Sequence, residues 1–103
     1  MFNRHDLSLL NELAEGRYHI LEANGHDVAL QSLSTGHEWV IITNYGDRRC
    51  RIRHRHSIRD PFHDQRGNYE TLNGALAYIE RHDEWFYAKE MARRKPCHYI
   101  NYY

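Results

Sequence analysis

The sequence predicts an α+β fold: a short N-terminal helix, a four-stranded antiparallel meander and a helical C-terminal third. Three observations carry this expectation. Leu7, Leu10, Leu13 and Ala14 recur at helical spacing within residues 6–15. Three turn signals, Asn24-Gly25, Ser34-Thr35-Gly36 and Tyr45-Gly46-Asp47, then separate runs rich in β-branched and aromatic residues. Beyond residue 70 the apolar positions Leu72, Ala75, Leu76, Ile79 and Phe86 return to a helical stripe. A chain of 103 residues supports one modest core, so residues 1–103 are read as a single small domain.

The first helix takes Asp6 as its expected N-cap and Gly16 as the residue just beyond its end. Two-residue loops at Asn24-Gly25 and Thr35-Gly36, and an even-membered loop at Gly46-Asp47, fix a strand register. In it Val28 faces Leu21, Ile41 faces Leu30 and Ile52, and His54 faces Trp39. One sheet face is then Leu21, Val28, Leu30, Trp39, Ile41, Cys50 and Ile52, the expected core. The reverse face carries Tyr18, Ile20, Ala29, Leu33, Val40 and Ile42, with Glu38 opposite Arg55.

Trp39-Val40-Ile41-Ile42 is apolar on both sides, which predicts a central strand and a cover for the reverse face. Either the C-terminal helix or a second copy of the chain supplies that cover. The pattern leaves open whether residues 70–94 form one helix or two. Pro96 is expected to end the helical third, and His98 to Tyr103 have the composition of an edge strand. Ser57 to Gly67 is read as a loop.

Acidic and basic residues balance at 14 each, so no global positive field draws the chain to nucleic acid or an anionic membrane. The charge is unevenly placed: residues 1–46 hold two arginines against six acids, and residues 47–66 hold seven against three. The longest strongly apolar run, residues 39–42, is far too short to span a bilayer. With no signal-peptide pattern at the N-terminus and two cysteines, Cys50 and Cys97, the expectation is a cytoplasmic protein with reduced thiols and no membrane partner.

The densest feature is Arg48 to His56, which places five arginines and two histidines in nine residues. On a strand, Arg49, Arg51, Arg53 and Arg55 share one face as a cationic ridge, and Cys50, Ile52, His54 and His56 share the other. Such a ridge suits carboxylate or phosphate. Nucleic acid is thus one possible partner, with Tyr18 and Tyr45 as stacking aromatics and Arg93-Arg94-Lys95 as a second cationic spot. Internal pairing with Glu38, Glu80, Asp83, Glu84 or Glu90 is the blander alternative. Trp85, Phe86 and Tyr87 span too wide an arc of one helix to face a single core, so Trp85 and Tyr87 join the ridge as candidate contacts for a protein partner.

Histidine clusters also raise a metal reading, with His54, His56, Asp60 and His63 as candidate ligands and His63-Asp64 and His82-Asp83 as nearby pairs. Their spacing matches no zinc motif, and nine histidines make accidental clusters common. No nucleophile–base pair or glycine-rich phosphate loop is present, so no catalytic residue and no cofactor is expected. The residues point to a non-enzymatic binding module, acting through Arg49, Arg51, Arg53, Arg55, Trp85 and Tyr87 on a protein partner or on itself as a homodimer. The alternatives are a nucleic-acid-binding domain and a small metal-dependent hydrolase or nuclease. No stretch carries the motif of a known family.

Overall fold

The computed structural model describes residues 2–43, 49–65 and 67–102, with side chains described as far as Arg93. The chain runs α1 (Arg4–Ala14), β1 (Tyr18–Ala23), β2 (Asp27–Ser32), β3 (Glu38–Thr43), β4 (Cys50–Arg55), β5 (His63–Asp64) and α2 (Leu72–Tyr102). The strands form one antiparallel sheet in the order β1-β2-β3-β4-β5. The α+β class is therefore as expected, with five strands in place of four. The fifth arises inside the segment read as a loop, where His63 and Asp64 pair with His54 and Arg53. Two residues are too few to show a period of two.

The first helix begins earlier than expected. Asn3 is its N-cap, accepting from the Asp6 N–H at 2.8 Å while the Asp6 carboxylate accepts from the Asn3 N–H at 3.1 Å. Asp6 thus closes a capping box from the third helical position. Gly16, at φ +73°, takes the left-handed conformation that releases the chain into β1.

The β3–β4 register is as expected, with Trp39 opposite His54, Ile41 opposite Ile52 and Glu38 opposite Arg55. Two other pairings differ. Val28 faces Ala23 in place of Leu21. Leu30 faces Trp39 in place of Ile41, because the β2–β3 connection is a four-residue loop. It is closed by Gly36 N–H on the Ser32 carbonyl, with Gly36 at φ +77°. A shift of two residues preserves which face each side chain takes. In β1 a bulge at Leu21 shifts the ladder by one, and a one-residue slip exchanges faces. Tyr18 and Ile20 therefore pack against the core, and Leu21 is left outside. Leu33 falls in the loop, exposed. The third turn signal, Tyr45-Gly46-Asp47, lies outside the described residues.

The core is one cluster of Phe2 and Leu10, the inward strand residues Val28, Leu30, Trp39, Ile41, Cys50 and Ile52, and Leu72, Ala75, Leu76 and Ile79 of α2. A fully buried Leu or Ile contributes about 1.5–3 kcal/mol through the area it withdraws from water. Both helices bury their apolar residues in this cluster, hence on the same side of the sheet. α2 is unbroken and continues past Pro96 to Tyr102, so residues 98–102 are helical where a strand was expected. Strand propensity is decided by pairing context, and that segment pairs with no strand of the sheet. Among the described residues no helix is long and apolar enough to cross a membrane.

Candidate functional site

Strand parity directs His54 inward beside Ile52, and the cross-strand pairing sets it on Trp39. The two rings stack with centroids 3.8 Å apart and planes 14° apart. His37, one residue before β3, shares the parity of Trp39 and Ile41. Carrying the β3–β4 register one step further sets it against His56, and those rings stack at 4.2 Å and 9°. His82 lies one helical turn beyond Ile79, with its ring edge-on to both Trp39 and His54 at 5.0 Å. Its turn of helix is anchored by the buried Asp83, which accepts hydrogen bonds from the Ser32 and Thr35 hydroxyls. The Ser32 Oγ in turn accepts from the Trp39 indole N–H at 2.9 Å. Three separate elements thus bring His37, His54 and His82 together.

Burial and mutual repulsion keep these imidazoles neutral. Desolvation first, then the neighbouring histidines, lowers the pKa of His37 to about 4 and that of His54 to about 3. His82 is lowered as well, chiefly by burial, with Asp83 acting in the opposite direction. A neutral imidazole has one N–H and one lone pair, and a directed chain assigns them. Tyr78 O–H donates to Gln65 Oε1 at 3.1 Å, Gln65 Nε2 faces His54 Nδ1 at 3.2 Å, and His54 Nε2 faces His37 Nδ1 at 3.0 Å. His82 Nδ1 is buried and has no hydrogen-bond partner. Such an orphan costs about 1–3 kcal/mol unless something occupies it. One nitrogen from each of His37, His54 and His82 lies within 4.8 Å of the others, so these three could hold a metal ion.

Of the metal candidates read from sequence, His54 enters this cluster. His56 and His63 flank it, with His63 at 5.6 Å from His54 between ring centroids. Asp60 stays at the surface, where it accepts from the Ser57 hydroxyl.

The arginine ridge lies on the opposite sheet face. Arg49, Arg51 and Arg53 are exposed, and Arg55 is half-buried. Arg53 pairs with Asp64 at 3.2 Å. Arg55 grips Glu38 with two hydrogen bonds and lies over the Phe62 ring at 4.2 Å. The helix acids considered as partners are engaged elsewhere: Glu80 with Arg17, Glu90 with Arg93, and Asp83 as above. Trp85 and Tyr87 are exposed on α2, 58% and 51%, and Lys89 rests over the Trp85 ring. Because α2 covers the core side, these aromatics do not share a surface with the ridge. Tyr18 points to the core side too. Tyr45 and the side chains of Arg94, Lys95 and Cys97 lie outside the described residues.

A cavity of about 310 Å³ between α2 and the start of β1 is lined by Arg17, Tyr18, Glu80, Asp83, Glu84 and Tyr87 among others. Its chemistry is that of the Arg17–Glu80 ion pair beside a half-buried phenol.

Sequence reasoning missed His37 and Gln65. The signal for His37 was present, since the expected pairing of Glu38 with Arg55 already implies His37 opposite His56. The chain matches no family model, no curated protein and no solved structure in comparisons with each.

Proposed function

We propose that this chain is a non-enzymatic binding module that self-associates through the sheet face turned away from its helices. One observation carries the reading: α1 and α2 both pack on one side, and Val40 and Ile42 lie at the centre of the other, only half-buried. Monomers rarely leave such apolar strips open.

The rows across this face are graded in charge. Asp27, Ile42 and Arg51 form one row, and Glu22, Ala29, Val40 and Arg53 form the next. In these rows acids lie on β1 and β2, apolar residues in the middle and arginines on β4, with Asp64 of β5 beyond Arg53 and Glu38 of β3 opposite Arg55. A two-fold axis parallel to the strands and over β3 lays β4 of each copy over β2 of the other. That sets Arg51 of each copy against Asp27 of the other, around a centre of Val40 and Ile42. The ridge is thereby a specificity element at an interface, and its partial pairing with Asp64 and Glu38 favours this over phosphate binding. A hydrolase is less favoured because His37 and His54, at 3% and 1% exposure, offer a substrate no approach.

Val40→Asp tests the reading. Light scattering should give a folded monomer for the variant and a dimer for the wild type. A monomeric wild type, or a variant dimer of undiminished affinity, contradicts it.

A further inference from the structure

We infer that His37, His54 and His82 form a zinc-class metal site that staples α2 to the sheet. The three nitrogens come from the loop before β3, from β4 and from α2, and lie within 4.8 Å of one another. Tetrahedral zinc with imidazole nitrogens at about 2.0–2.1 Å spaces its ligand atoms about 3.3 Å apart. His54 Nε2 and His37 Nδ1, at 3.0 Å, lie close to that spacing, and a His82 nitrogen is within 4.8 Å of a nitrogen on each of them.

Two further observations point to a cation rather than to chance packing. The buried Nδ1 of His82 has no hydrogen-bond partner, which is unusual for a nitrogen inside a protein. His54 also has an orienting partner: a half-turn of the Gln65 amide presents Oε1 to a His54 Nδ1–H, freeing the Nε2 lone pair for the ion. Tyr78, then accepting from the turned amide, holds the new arrangement. Imidazole ligands suit zinc, copper and nickel, and a redox-inert tetrahedral ion on these three imidazoles takes a water in its fourth position. The ion would tie the helix to the sheet at the end away from Leu72 and Ala75, where Asp83 already anchors it.

The test uses the full chain without a histidine tag. Titration with Zn²⁺ against a chromophoric chelator should show one ion per chain and raise the melting temperature. Co²⁺ should give the intense visible bands of a tetrahedral site. His82→Ala, on a partly exposed helix position where alanine is favourable, should keep the fold and lose more than about 100-fold in affinity, and His37→Ala should do likewise. His19→Ala, on exposed β1, should bind as the wild type does. Absence of stoichiometric Zn²⁺ binding, a six-coordinate Co²⁺ spectrum, or equal affinity in wild type and His82→Ala overturns the inference. The Co²⁺ spectrum of the wild type decides the matter even if a variant fails to fold.

Discussion

The Trp39 indole donates to Ser32 Oγ while its ring stacks on His54, so one side chain joins the hydrogen-bonded anchor of α2 to the histidine cluster. The polar interior of this small domain is continuous from the β2–β3 loop to β5, which explains why buried polar groups are tolerated around so compact a core. Among the described residues, the buried side-chain nitrogen or oxygen without a hydrogen-bond partner is His82 Nδ1.

Asp83 holds two hydroxyls at once, from Ser32 and Thr35, and is itself buried. Asp83→Ala strands Ser32 and Thr35 and frees the adjacent turn of helix. Urea unfolding should show a loss of about 1–3 kcal/mol, and Ser32→Ala, which removes one partner only, should lose less.

Acid should destabilise the chain when metal is stripped by chelator. Imidazoles titrate near 6.5 when unperturbed, and His37 and His54 titrate at about 4 and about 3 in the folded chain. Between these limits the unfolded chain binds more protons than the folded one, so stability is fully present above pH 6.5 and is lost as pH falls through 6 and 5 toward 4. His56, His63 and His82 surround the pair and add to the effect, with Asp83 opposing it at His82. Melting temperatures that stay level from pH 7 to 4.5 would contradict this.

Cys50 is completely buried, and burial pushes its thiol up to about 11. Its thiolate is therefore scarce as well as shielded. Iodoacetamide at neutral pH should leave the peptide containing Cys50 unmodified in the native protein and modify it fully in denaturant, as read by peptide mass spectrometry.

Legibility in the sequence followed the length over which a pattern could repeat. The β3–β4 register was readable because six residues alternate on each strand and Glu38 meets Arg55. β5 was not, since His63 and Asp64 are too short a run to alternate. The bulge at Leu21 was also hidden: it depends on how β1 settles against the core, and it reversed the faces of Tyr18 and Ile20. Within the histidine cluster, strand parity marks His54, and His82 stands beside Asp83 in the sequence. Their meeting with His37 needed the four-residue loop and the docking of α2, neither of which local spacing encodes.

The charge grading of the open sheet face yields a swap experiment. Arg51→Glu should weaken self-association by at least tenfold, by setting like charges against Asp27. Adding Asp27→Arg should restore it. If the double variant binds no better than Arg51→Glu alone, the two-fold arrangement is wrong even should a dimer exist.

The most direct measurement is the molar mass of the wild-type chain by light scattering across a range of concentrations at neutral pH. Self-association through the Val40 and Ile42 face predicts a mass approaching twice 12.4 kDa as concentration rises, reverting to the single-chain value for Val40→Asp. A mass fixed at 12.4 kDa throughout would contradict it.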